Sequence, residues 1–188
     1  RDLTETSSQD KKIEVILTRS QDVDMDLPSR TRLANQVKAD AFLSIHLNST
    51  QNGHASEAQG IETYVLNQTS DASSKRLAQL ENSVINPSQL QAAASGGDGM
   101  DLALILKDLT LTGNSSQSRQ LACLVQRQLV QATSPDTGQA KVRDRGVKQA
   151  LFHVLLGADM PSVLVEAGFL THAQDRSLLL SESGINKM

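Results

Sequence analysis

Apolar residues along the first part of the chain fall into short runs separated by a helical pattern. Three runs rich in β-branched and apolar residues predict buried strands: 13–18, 41–49 and 60–66. Between the first two runs, Leu33 and Val37 lie four residues apart, which predicts a short amphipathic helix beginning near Pro28. Strands that alternate with helices indicate a layered α/β fold.

The second half of the chain returns to the same alternation. Residues 115–133 and 173–182 have the apolar periodicity of helices, and residues 149–156 and 161–169 resemble strands. We therefore expect one α/β domain over residues 1–188, a three-layer sandwich with a mixed, mostly parallel sheet and helices on both faces.

Residues 67–113 interrupt this alternation and are interpreted as a helical insertion within the domain. Residues 70–85 and 100–109 resemble short helices, and the connection between them is rich in Gly, Ser and Pro. A flexible connection of this kind leaves the first helix free to move.

Composition restricts the classes of function. The chain has 188 residues with 38% hydrophobic content, enough for one core, but only 2% aromatic residues, so platforms for stacking bases are scarce. The net charge of -3 shows no excess of positive charge that would attract nucleic acid. No apolar segment approaches the length needed for membrane insertion. Cys123 is expected to be a buried structural thiol on the apolar face of a helix.

Two side chains near the ends of predicted strands are candidates for chemistry. His46 closes one strand and Glu166 closes another, and the carboxyl ends of strands in an α/β sheet form the rim where ligands bind. A histidine is the commonest zinc ligand, and a neighbouring carboxylate can act as general base. On spacing alone, His46 as a hydrogen-bonded structural residue and Glu166 as a helix cap remain alternatives.

Several sequence blocks together resemble a known family. The segments "LTR", "SIHLN", "RGVK" and "PSVLVEAGF" occur in the order found in the zinc-dependent N-acetylmuramoyl-L-alanine amidases of the amidase-3 type, which are bacterial cell-wall hydrolases. The resemblance implies that His46 ligates zinc and that Glu166 is the catalytic carboxylate.

The chain departs from this family at one point. Family members begin with a strand carrying a "DPGHGG"-like motif and a downstream Glu, which supply two further zinc ligands, and neither occurs in these residues. Either the chain is a fragment that lacks the first strand and the C-terminal end of the domain, or it is a defective relative. The intact match elsewhere favours the first interpretation.

The resemblance also extends to the insertion and to the "RGVK" segment. In amidases of cell division a similar insertion forms a regulatory helix that covers the site, and by resemblance Glu81 is the zinc-coordinating, autoinhibitory carboxylate. A solvated helix residue is the alternative for Glu81. Arg145 and Lys148 are candidates for contact with the anionic stem peptide, and a role in anchoring a loop is equally open.

The function implied by the resemblance is hydrolysis of the amide between N-acetylmuramic acid and L-alanine in peptidoglycan. The implied setting is the periplasm, during separation of daughter cells, with a LytM-like activator. Because apolar surface that leaves the domain needs another place to be buried, a partner is expected to bind the second helix of the insertion through Leu102, Leu104, Ile105 or Leu106. Two other hypotheses stay open: a catalytically silent module that binds peptidoglycan or a partner, and an α/β metallohydrolase acting on a different amide.

Overall fold

The computed structural model describes residues 13–50, 58–83, 112–133 and 142–188. The strands are β1 (Phe42–Asn48), β2 (Ile61–Leu66), β3 (Asp144–Ala150) and β4 (Ser162–Phe169). The helices are α1 (Leu27–Gln36), α2 (Ala72–Asn82), α3 (Thr112–Thr133), α4 (Ala173–Leu180) and α5 (Glu182–Ile185), with a 3-10 turn at His153–Leu155. Among these residues, no helix combines the length and the apolar character needed to cross a membrane.

The described strands form one mixed sheet in the order β1-β4-β2-β3. Strand β1 runs parallel to β4 and β2 runs parallel to β3, whereas the central pair β2 and β4 is antiparallel. The expected mixed and mostly parallel sheet is confirmed. This arrangement places β4, the most deeply buried strand, between two neighbours that contribute polar side chains.

Helices pack on both faces of this sheet, as expected for a three-layer sandwich. On one face, α1, α2 and the 3-10 turn enclose a core that includes Leu27, Ala78 and Phe152. On the other face, α3 and α4 enclose a second core that includes Ala122 and Leu179. Two separate apolar layers therefore hold the sheet between the helices.

The prediction of a strand at residues 13–18 is wrong. This segment has no regular secondary structure, and its apolar side chains are exposed, with Leu17 68% accessible. A strand forms only where a neighbour supplies ladder hydrogen bonds. Strand β1 pairs with β4 alone among the described strands, and residues 13–18 do not pair with its outer edge.

The prediction of a strand at residues 149–156 is also wrong in its position. Strand β3 lies earlier, at Asp144–Ala150, and the apolar run after it forms the 3-10 turn. Phe152, Val154 and Leu155 fill the core below the sheet from this turn. The strand itself is an outer strand whose residues are only half buried, so its sequence is polar and its apolar periodicity is weak.

Cys123 is exposed on α3, which corrects the expectation of a buried thiol. The buried stripe of this helix runs through Ser118, Ala122, Gln126 and Thr133. Because each helical residue turns by about 100°, the residue that follows Ala122 leaves the buried face. The second helix predicted in the insertion, with Leu102, Leu104, Ile105 and Leu106, lies outside the described residues.

Candidate metal centre

His46, Glu166 and Glu62 form a row across three neighbouring strands. His46 on β1 is the Cα partner of Glu166 on β4, and Glu62 on β2 is the partner of Glu166 on its other side. Directly paired residues of adjacent strands point to the same face of a sheet. Both sequence candidates therefore lie side by side, although within their strands rather than at the strand ends, since β4 continues to Phe169.

A third carboxylate reaches this row from helix α2. Glu81 Oε2 lies 2.7 Å from His46 Nδ1, and the other ring nitrogen, Nε2, lies 3.1 Å from Ser44 Oγ. His46, Glu81 and Glu166 each offer a donor atom, and these atoms all lie within 4.8 Å of one another. The described structure thus brings together the three residues that the resemblance marks for zinc chemistry.

Local interactions at both ends of α2 fix the position of Glu81. At the start, the Asp71 side chain accepts a hydrogen bond from Ser74 N at 2.7 Å, which caps the helix. At the end, Asn82 Nδ2 donates to Leu151 O at 2.8 Å, and Asn82 Oδ1 accepts from His153 N at 2.9 Å. Asn82 therefore ties the last turn of the helix, next to Glu81, to the end of β3.

Glu166 is fully buried, and neither of its carboxylate oxygens has a hydrogen-bond partner among the described residues. Burial, together with the charges of Glu81 and Glu62, raises the pKa of Glu166 to about 9. An ionised carboxylate in such a place is unfavourable by several kcal/mol unless a positive charge lies beside it. The site is thus built for a proton or for a cation.

The donor set is suited to a zinc ion. One imidazole nitrogen and carboxylate oxygens are among the ligand types that zinc prefers, and their mutual spacing allows them to converge on one ion. The Ser44 contact orients the His46 ring through the nitrogen that faces away from Glu81, as an outer hydrogen bond does in known metal sites. These residues fit one part of a zinc site, because the two further ligands expected from the resemblance are not in this sequence. The unpartnered Glu166 oxygens are the strongest sign that a cation lies there.

Sequence reasoning missed Glu62, which is the centre of a buried polar network. Its Oε1 accepts hydrogen bonds from Tyr64 Oη at 3.0 Å and from Asn48 Nδ2 at 3.3 Å. Its Oε2 accepts from Arg145 Nε at 2.7 Å and Lys148 Nζ at 2.6 Å. The available signal was an acidic residue inside the otherwise buried run "GIETYVL", the same signal that marks Glu166.

The chain is therefore an α/β sandwich domain with a candidate metal centre, formed by one histidine and neighbouring carboxylates at its sheet. Over residues 2–188 the chain matches the family described as Amidase_3, N-acetylmuramoyl-L-alanine amidase. The chain belongs to this family, which confirms the resemblance seen in the sequence blocks.

Individual relatives agree with this assignment. The chain is 34% identical to the N-acetylmuramoyl-L-alanine amidase AmiC of Neisseria meningitidis, covering 90% of this chain and 38% of that protein. It is 31% identical to the amidase LytC of Bacillus subtilis, covering 87% of this chain and 22% of LytC. The crystal structure of an N-acetylmuramoyl-L-alanine amidase from Clostridium difficile superposes with a TM-score of 0.60 at 28% identity, covering 95% of this chain and 67% of that one. The chain thus spans well under two thirds of the length of these two curated relatives.

Proposed function

We propose that this chain is the catalytic domain of a zinc-dependent amidase that hydrolyses the bond between N-acetylmuramic acid and L-alanine in peptidoglycan. The observation that supports the proposal most strongly is the cluster of His46, Glu81 and Glu166, whose donor atoms lie within 4.8 Å of one another. Membership in the amidase family supports the choice of substrate.

His46 is the proposed metal ligand that stays bound during the reaction, whereas Glu81 is proposed to leave the site on activation. Its Nδ1 lies 2.7 Å from Glu81 Oε2 within the cluster, and the hydrogen bond between Nε2 and Ser44 Oγ holds the His46 ring in that orientation. When bound, zinc supplies Lewis-acid polarisation of the amide carbonyl and lowers the pKa of water at the site.

Glu166 is the proposed general base. Its carboxylate oxygens have no partner among the described residues, so they are available to accept a proton from the attacking water. Glu166 requires a positive charge beside it to ionise at neutral pH, since burial and the neighbouring carboxylates raise its pKa to about 9. Once protonated, Glu166 is suited by the same burial to hold the proton and donate it to the leaving nitrogen of L-alanine.

Removal of the metal tests this proposal. Dialysis of the full-length protein against a chelator is expected to abolish release of peptide from purified peptidoglycan, and addition of zinc is expected to restore it. Magnesium at the same concentration is the matched control, because it prefers oxygen ligands and octahedral geometry over an imidazole site. Hydrolysis that persists in the chelated protein would contradict a role for the metal.

We further propose that α2 is autoinhibitory, with Glu81 as the blocking group. Glu81 Oε2 occupies the position beside His46 Nδ1 that a substrate or water oxygen would need. The helix buries only Ser74 and Ala78 and packs Leu77 against the core, so its release requires the loss of these contacts and of the two Asn82 hydrogen bonds. The inserted residues 67–113 are the proposed regulatory segment, of which the structure describes residues 67–83 and the start of α3 at residues 112–113.

Two substitutions in α2 test autoinhibition. Glu81→Ala removes the blocking carboxylate, and Asn82→Ala removes the two hydrogen bonds that hold the last turn, so both are expected to raise basal hydrolysis of dye-labelled peptidoglycan. The expected increase is about fivefold or more for Glu81→Ala, equivalent to about 1 kcal/mol of lost blocking energy. Gln79→Ala, at an exposed position of the same helix, is the matched control. Equal basal rates in all four proteins would contradict autoinhibition.

We also propose, from the family resemblance, that this protein acts in the periplasm and is activated by a LytM-like protein. A partner shifts the position of α2 only through a higher affinity for the released state. The residues proposed to bind such a partner are the apolar side chains Leu102, Leu104, Ile105 and Leu106, which lie outside the described residues.

A further inference from the structure

Strand β3 contains a bulge that brings two cations to one carboxylate. Between Ile61 and Thr63 of β2, the partner positions on β3 advance from Asp144 to Val147, so β3 has one extra residue. Gly146, inside this step, has a φ of 76°, the left-handed conformation typical of a glycine bulge. In a regular strand, residues three positions apart point to opposite faces. Because of the bulge, Arg145 and Lys148 both contact Glu62 instead.

The bulge creates a charge arrangement that is only partly balanced. Burial alone would raise the pKa of Glu62, but the hydrogen bonds and charges of Arg145 and Lys148 hold that pKa below its usual range. One carboxylate forms ion pairs with two cations, and the Asp71 carboxylate, which makes no ion pair with Lys148, balances part of the remaining positive charge. The Glu62 side chain is 3% exposed, whereas those of Arg145 and Lys148 are 22% and 24% exposed. The excess charge is therefore on the part of the network that solvent and ligands can reach.

The two cations are held by contacts that leave donors available. Arg145 binds Glu62 through Nε, and its guanidinium lies 5.2 Å from the centre of the Phe169 ring. Lys148 Nζ lies 5.9 Å from the centre of the Tyr64 ring. Within the described residues, the terminal Nη atoms of Arg145 make no hydrogen bond, and these two atoms form the fork that binds a carboxylate in bidentate fashion. Stacking on a ring and binding through Nε fix the direction of that fork.

We infer that Arg145 and Lys148, positioned by Glu62 and by the β3 bulge, form a subsite for a carboxylate on the peptide side of the scissile amide. The inference rests on the proposed function for the identity of the ligand. Of the two halves of a muramoyl peptide, the amide-linked sugar is uncharged, and only the peptide carries carboxylates. Strands are spaced about 4.8 Å apart, so β3 lies about 10 Å from β4, the span of about three extended residues. The recognised carboxylate therefore belongs to one of the first three residues of the peptide.

Glu62 acts as a positioning residue in this subsite rather than a catalytic one. Replacement by glutamine removes a negative charge and so increases the local positive charge, which by simple electrostatics would strengthen binding of an anion. The amide oxygen of glutamine carries no full negative charge and accepts hydrogen bonds more weakly than the carboxylate does. At least one of the two cations therefore loses its fixed direction. A positioning role and a screening role therefore predict opposite signs for the same substitution.

Equilibrium binding in a Glu81→Ala, Glu166→Gln background tests the inference without relying on turnover and without the proposed blocking carboxylate. The two ligands are N-acetylmuramoyl-L-alanyl-D-glutamate, with both carboxyl groups free, and its diamide. We expect the acid to bind about tenfold more tightly than the diamide, because charge-assisted bidentate hydrogen bonds exceed neutral ones. Arg145→Gln and Lys148→Gln are each expected to reduce that ratio to about threefold or less. Arg143→Gln, an exposed cation in the same segment, is expected to leave it unchanged.

Glu62→Gln is expected to lower the ratio of the two dissociation constants as well, with circular dichroism confirming the fold. A ratio near one in the parent protein, or an unchanged ratio in both Arg145→Gln and Lys148→Gln, would overturn the subsite. A higher ratio in Glu62→Gln would overturn the positioning role. Failure of the wild-type protein to cleave muramoyl peptides would count against the proposed function alone, since the binding ratio does not depend on cleavage.

Discussion

Glu166→Gln is expected to abolish amide hydrolysis while leaving the fold and the bound zinc in place. Glutamine has the shape of glutamate but cannot accept a proton from water at neutral pH. The loss of a general base typically lowers the rate by about 100-fold to 10,000-fold. Because the carboxylate is fully buried without a hydrogen-bond partner among the described residues, its replacement by a neutral amide is not expected to lower stability.

Single-turnover hydrolysis of muramoyl peptides, with zinc content determined on the same samples, measures this effect. The matched control is Glu182→Gln, the same substitution at an exposed position of α5, which is expected to keep wild-type activity. Activity of Glu166→Gln within about threefold of wild type would remove Glu166 from the mechanism.

His46→Ala is expected to lower zinc affinity and hydrolysis together, because a site that loses its imidazole ligand has too few donors to hold the ion. Ser44→Ala is the graded companion substitution. It removes the hydrogen bond to Nε2 that orients the ring, and loss of such an outer contact typically weakens metal affinity by about 10-fold to 100-fold. We therefore expect zinc affinity to fall in the order wild type, Ser44→Ala, His46→Ala.

Competition with a chromogenic chelator measures these affinities without any substrate. Circular dichroism of each variant checks that the sheet remains intact, since His46 lies on β1 next to the buried strand β4. Unchanged zinc stoichiometry and affinity in His46→Ala would show that this histidine is not a ligand.

The parts of the fold that follow from local patterns were predictable from the sequence. Strand β4 is buried along its whole length, so its continuous apolar run "SVLVEAGF" identifies it. A carboxylate in such a run must have a partner or a task, and this argument located Glu166 without a structure. Helix α1 was also predicted, with Pro28 in its first turn, although Val37, on which the prediction partly rested, is its exposed C-cap residue.

Other features depend on contacts between distant segments and were not predictable. Strand alternation from Arg145 predicts that Lys148 lies on the opposite face of the sheet. The bulge in β3 reverses this, so both residues contact Glu62. The apolar run 13–18 has the composition of a strand but no pairing among the described residues. The contact between Glu81 and His46 depends on how α2 packs, and only the family resemblance suggested it.

The identity of the bond that is cut tests the central claim most directly. Purified muramoyl peptides would be digested by the zinc-loaded, full-length protein in water enriched in oxygen-18, and the products analysed by mass spectrometry. Hydrolysis at the proposed amide predicts a free lactyl carboxylate on N-acetylmuramic acid that contains one oxygen-18 atom, and an unlabelled peptide with a free L-alanine amino group. Label in a peptide carboxylate or at a sugar carbon, or no cleavage at all, would contradict the assignment.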